Sequence, residues 1–208
     1  MEQSRLLKSV ASLTHGFYDC VDTLQVKNPV MVKQIHSARV IEVHGPSGDE
    51  QADAMVTDTP GVNLAIQTGD CVPVLFADPL HRVIGAAHAG WRGALAGVVE
   101  STLLAMVRLG ANLSDILAAV GPCIHQEHYQ VSPDFQKQFS ADVQKFFAIF
   151  PDGIHFDLPS YVEHRLREAG VKDIDVLPID TYTDQRFYSY RRQPNEKGRQ
   201  LSCICLRS

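Results

Sequence analysis

Residues 72–110 read VPVLFADPLHRVIGAAHAGWRGALAGVVESTLLAMVRLG, and this stretch decides the fold class of the chain. Residues 72–77 and 83–87 are short runs of Val, Leu, Ile and Ala bounded by Asp, Pro and Gly, a composition typical of strands. After His88 the apolar residues recur at helical spacing up to Gly110, which suits a helix C-terminus. The recurring residues are Leu95, Val98, Val99, Leu103, Met106 and Val107. The stretch therefore predicts two strands and one amphipathic helix.

The flanking sequence adds more strands and two more helices. We predict helices from Ser132-Pro133 through Phe139 and over residues 159–169, because Ser-Pro suits a helix start and Gly170 suits an end. Short runs with strand composition lie at residues 30–35, 39–43, 53–57, 62–67, 116–120, 174–177, 187–190 and 201–206. Strands come first and then mix with helices, without regular βαβ alternation. This order predicts an α+β fold, a single layered domain over residues 1–208 with mixed β-sheets and helices packed outside.

The composition is that of a globular protein and argues against several classes of function. Hydrophobic residues make up 45% and charged residues 21% of the 208 positions, close to the average for folded proteins. The net charge of −5 argues against a nucleic-acid partner bound through its phosphates. We expect no membrane partner, because no apolar run reaches about 18 residues and the N-terminus lacks the apolar core of a signal peptide. Five cysteines, an odd number, suit free thiols or ligands in the cytoplasm.

Three residues, His36, Cys71 and His88, each end or follow a short apolar run, in a polar or glycine-marked bend. Zinc takes thiolate and imidazole ligands, and a catalytic zinc site has three protein ligands and one open position. The three residues therefore predict a reactive zinc centre, provided that the fold brings the three strand ends together. Taken singly, each has a simpler interpretation, because free cysteines are often small core residues and loop histidines are more often at the surface. Their spacing matches no local ligand motif.

Two residues beside the candidate ligands, Asp70 and Arg92, are candidate catalytic residues. Asp70 precedes Cys71 and could transfer a proton near the metal, although an Asp at a turn can also serve only to hydrogen-bond the backbone. Arg92 lies in HAGWRG, where Gly90 and Gly93 lead into the predicted helix. A helix N-terminus beside an arginine suits an anion such as phosphate. The alternative is a glycine turn with a solvated arginine.

Two other groups of cysteines and histidines have weaker functional interpretations. Cys123 with His125 and His128 could bind a second metal, but two histidines three positions apart are more often a polar helix start. Cys203 and Cys205 share one face of a predicted strand, where they could bind a soft metal or belong to the core. A basic cluster between residues 186 and 199 could serve a small anion or form a solvated face.

Five ordered segments of the chain resemble the motifs of one known family. They are KQIHSARV (33–40), TGDCVPVLFADP (68–79), AAHAGWRGALAGV (86–98), AVGPCIHQEHYQV (119–131) and RFYSYRR (186–192), the last followed by Gly198-Arg199. Together they extend over most of residues 30–206. They resemble the bacterial laccase-domain family, which was named polyphenol oxidase and is now described as a purine nucleoside phosphorylase family.

The resemblance implies a fold, a metal and an activity. It implies a layered α+β fold and zinc held by His36, Cys71 and His88. The implied activity is phosphorolysis of adenosine, inosine and methylthioadenosine, with deamination of adenosine as a second reaction. The implied partners are a purine nucleoside and phosphate, and we expect a monomer or a homodimer. The resemblance also raises the expectation that Arg191-Arg192 and Arg199 line the anionic side of the pocket.

The chain departs from the family pattern in two places. The segment between Gly16 and Val30 is shorter than is usual in the family, and residues 180–183 read Asp-Thr-Tyr-Thr where the family more often has Cys-Thr. If the missing part helps to hold substrate, its loss affects turnover more than metal binding. A member that binds metal or nucleoside with impaired catalysis therefore stays open.

Two other chemistries would use the same residues. In a cysteine hydrolase acting on a small amide or a peptidoglycan precursor, Cys71 is the nucleophile, His88 its base and His36 an orienting partner. Copper-dependent oxidation of phenols, the chemistry of the older family name, is disfavoured. Multicopper oxidases need many histidine ligands at several coppers, and this trio has no visible axial Met.

Overall fold

A computed structural model describes residues 1–20, 22, 26–45, 50–196 and 198–208, and the strands in these residues form three sheets. The central sheet has six strands. The outermost pair at each end is parallel and the inner pairs are antiparallel. In spatial order the strands are β12 (Asp173–Val176), β8 (Leu117–Val120), β6 (Val72–Asp78), β7 (Val83–Ala89), β4 (Ala54–Thr57) and β3 (Val40–Glu42).

A second, four-stranded sheet packs on one face of the central sheet. Its strands in spatial order are β1 (Leu13–Tyr18), β13 (Gln200–Leu206), β5 (Asn63–Thr68) and β2 (Pro29–Val30). Alternate residues of β6 point to opposite sides of the central sheet. Leu75 belongs to the core shared with β5 and β13, whereas Phe76 belongs to the core on the helical side. Both faces of β6 and β7 are therefore buried, which explains why these strands are apolar throughout instead of alternating.

The longer helices cover the other face of the central sheet, whereas the first, short helix packs on the side of the second sheet through Leu7. The helices in the described residues are α1 (Arg5–Lys8), α2 (Trp91–Ala96), α3 (Val98–Arg108), α4 (Pro133–Gln136) and α5 (Leu158–Glu168). Apolar residues of α3 and α5, such as Met106 and Leu166, share a core with Val74 and Phe76 of β6. None of these helices has the length and apolar character that crossing a bilayer requires. The architecture is α+β, as predicted.

The third sheet is small and lies beside a cluster of aromatic rings. It consists of β10 (Phe147–Phe150), β11 (Gly153–Phe156) and β9 (Gln130–Val131) in that spatial order. Phe135, Phe139 and Phe156 contact one another with ring centroids 5.0 to 5.5 Å apart. Sequence reasoning missed β1, β10 and β11, and it extended the helix from Pro133 to Phe139. The observed helix ends at Gln136, and Phe139 packs among the rings.

The predicted strand over residues 187–190 is wrong. These residues form turns and irregular structure. Turn hydrogen bonds and side chains take the place of a neighbouring strand here: the N–H of Phe187 donates to the carbonyl of Asp184, and the carbonyl of Ser189 accepts the N–H of Gln193. The guanidinium of Arg192 donates to three carbonyl oxygens, including that of Phe187 at 2.7 Å. The N–H of Arg191 donates to the carboxylate of Asp70 at 2.6 Å.

Two other predicted elements have different boundaries. The strand predicted over residues 30–35 is observed only as Pro29–Val30. Beyond Val30, the side-chain amide of Gln34 bonds to the backbone of Gln67 as a neighbouring strand would. Its NH₂ group donates to the carbonyl of Gln67 at 2.8 Å, and its oxygen accepts the N–H of Gln67 at 2.9 Å. The helix after His88 is divided at Gly97, whose φ of 93° ends α2 and starts α3.

Candidate metal centre

His36, Cys71 and His88 come together at the open end of the β6–β7 hairpin, opposite the turn that connects the two strands. Cys71 precedes β6, and His88 lies near the end of β7, in register with Pro73. His36 reaches the same place on the loop between β2 and β3. Their ligand atoms all lie within 4.8 Å of one another, and the two imidazole rings meet edge to face with centroids 4.7 Å apart. The structure thus brings together the three residues predicted to bind zinc.

A buried carboxylate, Asp53, supports both histidines. Its Oδ1 lies 2.9 Å from Nδ1 of His88 and accepts the N–H of His36, also at 2.9 Å. Its Oδ2 accepts the N–H groups of Ile35 and Ser37 and the hydroxyl of Ser37. Burial raises the pKa of Asp53, but the hydrogen bonds from His88 and Ser37 outweigh burial and lower it to about 2. An ionised Asp53 makes Nδ1 of His88 a donor, which leaves Nε2 free for a metal.

The loop that carries His36 has a backbone conformation that only tertiary contacts can maintain. His36 has a φ of 60°, in the left-handed region that residues other than glycine rarely occupy. A conformation of this kind persists when its surroundings over-determine it. Here three consecutive N–H groups, those of residues 35–37, bind the carboxylate of Asp53. Asp53 therefore sets the position of His36 through the backbone and that of His88 through the ring.

The electrostatics of the centre favour a thiolate beside a charged imidazole. Burial raises the pKa of Cys71, but hydrogen bonds from His36 and His88 outweigh burial and lower it to about 6. Burial lowers the pKa of His88, but hydrogen bonds to Asp53 and Cys71 outweigh burial and raise it to about 9. A thiolate ligand needs no further deprotonation at neutral pH, so only the imidazole proton must leave when a metal binds.

Gly90 leaves the space that the centre needs. A Cβ at this position would lie 2.9 Å from Cδ2 of His36 and 3.0 Å from Sγ of Cys71. The backbone at Gly90 has a φ of −66°, so the requirement for glycine is steric and not conformational. The open space and the donor set of two imidazoles and one thiolate fit a borderline-soft divalent ion held by three protein ligands.

The three candidate ligands line a cavity of about 480 Å³. This volume lies within the range of roughly 300–1,000 Å³ that is typical of small-molecule sites. The other main lining residues are two cations, one aromatic residue and three polar residues: Lys33, Arg199, Tyr190, Gln34, Gln67 and Thr68. The cavity can therefore take a ligand that is partly anionic and partly aromatic.

Asp70 lies next to the centre, but its carboxylate is turned to the neighbouring loop. Oδ1 accepts the hydroxyl of Thr181 at 2.7 Å, and Oδ2 accepts the N–H of Arg191 at 2.6 Å. Asp70 also has a φ of 86°. These contacts favour the alternative in which Asp70 holds backbone, here that of the loop around residues 181–191. Proton transfer by Asp70 stays a prediction.

The four arginines predicted to bind an anion lie in different surroundings, and they are not all at the cavity. Arg92 is exposed, stacks over the ring of Trp91 at 4.2 Å, and does not belong to the residues that line the cavity. Arg191 and Arg192 donate to backbone carbonyl oxygens. Arg199 does line the cavity. Of these arginines, Arg199 is thus the one placed to meet an anion beside the metal ligands.

The remaining candidate clusters have structural roles in the described residues. His128 lies 2.6 Å from Asp180 through Nδ1 and does not form a metal-sized cluster with Cys123 and His125. Burial raises the pKa of Cys203 to about 12, and its side chain packs in a small core. A second group with ligand atoms within 4.8 Å, formed by Asp78, His81 and Asp115, lies at the turn of the β6–β7 hairpin.

Sequence reasoning missed three residues of the site. The sequence predicts Asp53 only as the first residue of a strand, Lys33 in a strand that ends at Val30 in the structure, and Tyr190 in a strand that the described residues do not contain. An Asp between two apolar runs gives no local sign of its partners. Part of the shortened segment between residues 16 and 30, namely residues 21 and 23–25, lies outside the described residues.

Comparison with known proteins agrees with the resemblance. A purine nucleoside phosphorylase of Deinococcus radiodurans is 43% identical over 176 residues, which cover 84% of this chain and 69% of that protein. Another, RP494 of Rickettsia prowazekii, is 32% identical over 223 residues, covering 100% of this chain and 87% of that protein. The crystal structure of the hypothetical protein YfiH of Bacillus licheniformis has a TM-score of 0.81 at 30% identity, covering 90% of this chain and 78% of that chain. The family model described as multi-copper polyphenol oxidoreductase laccase matches residues 11–207, and the chain belongs to this family.

Proposed function

We propose that the protein is a zinc-dependent purine nucleoside phosphorylase that cleaves adenosine, inosine and methylthioadenosine with phosphate. The observation that carries the proposal is one cavity that combines a candidate metal centre, two cations and an exposed aromatic side chain. The relatives named purine nucleoside phosphorylase support the reaction class. All five cysteines are free thiols, which suits the cytoplasm as the working compartment.

His36, Cys71 and His88 would hold the zinc ion through two imidazole nitrogens and one thiolate. A zinc ion with three protein ligands keeps an open position and acts as a Lewis acid on a substrate oxygen or nitrogen. Asp53 keeps the proton on Nδ1 of His88 and thereby presents Nε2 as the ligand atom. Gly90 leaves room for the imidazole of His36 beside the sulfur of Cys71.

Lys33 and Arg199 supply the positive charge that phosphate requires. In phosphorolysis an oxygen of phosphate forms a bond to C1′ of the sugar, and the bond from C1′ to the purine nitrogen breaks. The electron pair leaves with the purine, which takes up a proton, and sugar 1-phosphate is the other product. The site must hold the dianion against C1′, and charge-assisted hydrogen bonds from a guanidinium are suited to this task.

Deamination of adenosine is the second reaction that we propose for the same site. Water then adds at C6 of the purine in place of phosphate attack at C1′, and ammonia leaves. The products separate the two reactions: phosphorolysis of adenosine gives adenine and ribose 1-phosphate, whereas deamination gives inosine. Analysis of products from adenosine and inosine, each with and without phosphate, therefore tests both. Absence of the sugar 1-phosphate with adenosine, inosine and methylthioadenosine in the presence of phosphate would overturn the proposed function.

The metal assignment is tested by substitution of the thiolate ligand. We expect the purified wild type to contain about one zinc per chain and Cys71→Ser to contain much less, because the hydroxyl of Ser is a poor zinc ligand. Cys205→Ser is the matched control, because Cys205 is partly buried on β13 and does not belong to the cluster of ligands. Equal zinc content in wild type and Cys71→Ser would rule out the proposed centre.

One observation favours a second candidate, the cysteine hydrolase. The contacts from Asp53 to His88 and from His88 to Cys71 form a carboxylate–imidazole–thiolate series of the kind that activates a nucleophile. A strong chelator separates the candidates. A zinc phosphorylase loses its activity with the chelator and regains it with zinc, whereas a cysteine hydrolase keeps its activity and forms a covalent adduct at Cys71 with a thiol-directed inhibitor.

A further inference from the structure

Tyr190 is an exposed aromatic residue that directly follows three buried residues. Its side chain is 56% exposed and lines the cavity of the candidate metal centre. The three preceding residues, Phe187, Tyr188 and Ser189, are at most 4% exposed. Ligand pockets are lined mainly by hydrophobic and aromatic side chains, so an aromatic side chain that lines a cavity is a candidate ligand contact.

Several contacts hold the backbone on both sides of Tyr190. The N–H of Arg191 donates to Asp70, and the hydroxyl of Ser189 accepts the N–H of Arg192 at 3.2 Å. Because Asp70 is the neighbour of Cys71, the first of these bonds sets the position of Tyr190 relative to the candidate metal ligands. An aromatic residue on a held loop can contribute to binding with little loss of conformational entropy.

Tyr188, on the side of Arg199, also helps to hold the loop that carries Tyr190. Its ring lies between Gly69 and Gly198, where a Cβ would come within 2.7 Å and 2.2 Å of the ring atoms. Its hydroxyl donates to the carbonyl of Glu196 at 2.7 Å. The guanidinium carbon of Arg199 lies over the same ring at 5.5 Å from the centroid. Tyr188 thus packs both against the loop that leads to Cys71 and against the arginine of the cavity.

We infer that Tyr190 is the surface on which the purine base of the nucleoside stacks, an inference that rests on the proposed function. The three parts of the substrate then meet three different parts of the cavity. Phosphate meets Lys33 and Arg199, the bond to be cleaved lies towards the metal ligands, and the base meets Tyr190. Stacking depends on the π-face and not on exocyclic groups. One tyrosine can therefore stack on adenine and on hypoxanthine alike, and so serves adenosine, inosine and methylthioadenosine.

The test measures binding to the zinc-loaded full chain by calorimetry, with inosine and ribose 1-phosphate as separate probes. Tyr190→Ala is expected to raise the Kd of inosine by roughly 5- to 150-fold, the range that corresponds to one lost base–aromatic stack. The Kd of ribose 1-phosphate, which lacks the base, is expected to stay within about twofold of wild type. In steady-state assays the KM of inosine rises and that of phosphate does not.

Two variants complete the design. Tyr190→Phe keeps the ring and should bind inosine as the wild type does. Ile149→Ala removes another exposed apolar side chain, 90% exposed at the β10–β11 hairpin, and should change neither Kd. An unchanged Kd of inosine in Tyr190→Ala overturns the inference. An increase in the Kd of ribose 1-phosphate as large as that for inosine also overturns it. Loss of inosine binding in Tyr190→Phe also overturns it, because it would identify the hydroxyl as the contact.

The failure of this inference is distinguishable from failure of the proposed function. Wild-type protein that cleaves inosine with phosphate, beside a Tyr190→Ala variant with normal inosine binding, overturns the inference alone. Wild-type protein that neither binds nor cleaves inosine overturns the proposed function and the inference together.

Discussion

The carboxylate of Asp53 lies 2.9 Å from Nδ1 of His88, and this contact connects a fully buried anion to the candidate metal centre. The same carboxylate accepts three consecutive N–H groups of the loop that carries His36. Two of the three candidate ligands therefore depend on one side chain that binds no metal itself. Such supporting carboxylates orient the ligand ring and raise its basicity.

Replacement of Asp53 is expected to weaken zinc binding. Asp53→Asn should lower zinc affinity by about 10- to 100-fold, the usual effect of losing a hydrogen-bond partner of a ligating histidine. The amide can accept from His88 through its oxygen, but its NH₂ group would then face backbone N–H groups that also donate. Competition with a chromogenic chelator measures the affinity. Asp58→Asn is the matched control, because Asp58 has a half-exposed side chain; equal affinities in both variants would contradict the prediction.

Gly90→Ala is expected to disturb the centre while the fold is retained. The added Cβ would lie 2.9 Å from the His36 ring and 3.0 Å from the Cys71 sulfur, and the φ of −66° allows alanine. We expect a loss of zinc affinity of about 10- to 100-fold, in line with misplaced ligands, and little change in the far-UV spectrum. Gly45→Ala is the control, because, chain neighbours aside, no atom of the described residues lies within 4 Å of its added Cβ. Undisturbed zinc binding in Gly90→Ala would show that the ligands lie elsewhere.

The pH dependence of thiol alkylation reports the state of Cys71 in metal-free protein. The thiolate reacts and the thiol does not, so the rate rises as pH rises through the pKa. Because the pKa of Cys71 is lowered to about 6, its rate with iodoacetamide should be half-maximal near this pH and level off below pH 9. The residue Cys20 is exposed, but partial desolvation of its thiol raises the pKa, so Cys20 should react only at higher pH. Peptide mass spectrometry separates the two; a Cys71 midpoint near 9 would contradict the contacts from His36 and His88.

Arg199 and Arg92 provide a direct comparison between two predicted anion-binding residues, of which Arg199 lines the cavity and Arg92 does not. Arg199→Ala should raise the KM of phosphate by roughly 10- to 150-fold, the effect of losing a charge-assisted hydrogen bond. Arg92→Ala should leave it nearly unchanged, because Arg92 stacks on Trp91 and does not line the cavity. The KM of phosphate with inosine in excess is the measurement. The reverse pattern would support the anion site predicted at the start of the helix.

The parts of the fold that could be predicted are those whose periodicity is local. In β6 and β7 an unbroken apolar run indicates burial on both faces, and in α3 the spacing of Val98, Val99, Leu103 and Met106 indicates one apolar face. The strand β1 could not be predicted in this way, because LTHGFY has neither an unbroken apolar run nor a regular alternation. It becomes a strand by pairing with β13, near the other end of the chain.

The wrong strand over residues 187–190 has a related cause. The run FYSY has the composition of a strand, but the carbonyl of Phe187 accepts from the guanidinium of Arg192, and the N–H of Arg191, just after the run, donates to Asp70. The contact with Asp70 follows from the packing of two loops that are far apart in the sequence. Composition alone could not reveal that side chains would take the place of a neighbouring strand.

The sequence by itself determined the residue types of the candidate metal centre: two histidines and a cysteine at predicted strand ends, and a glycine beside them in HAGWRG. Those residue types and their bends are local properties, so the candidate ligands His36, Cys71 and His88 could be named before any coordinates. Only the tertiary structure decided which side chains serve them. Strand pairing and loop packing between distant segments bring Asp53 to His36 and His88, and bring Arg199 and Tyr190 to the cavity. The distances that select these residues over Asp70 and Arg92 exist only in the folded chain.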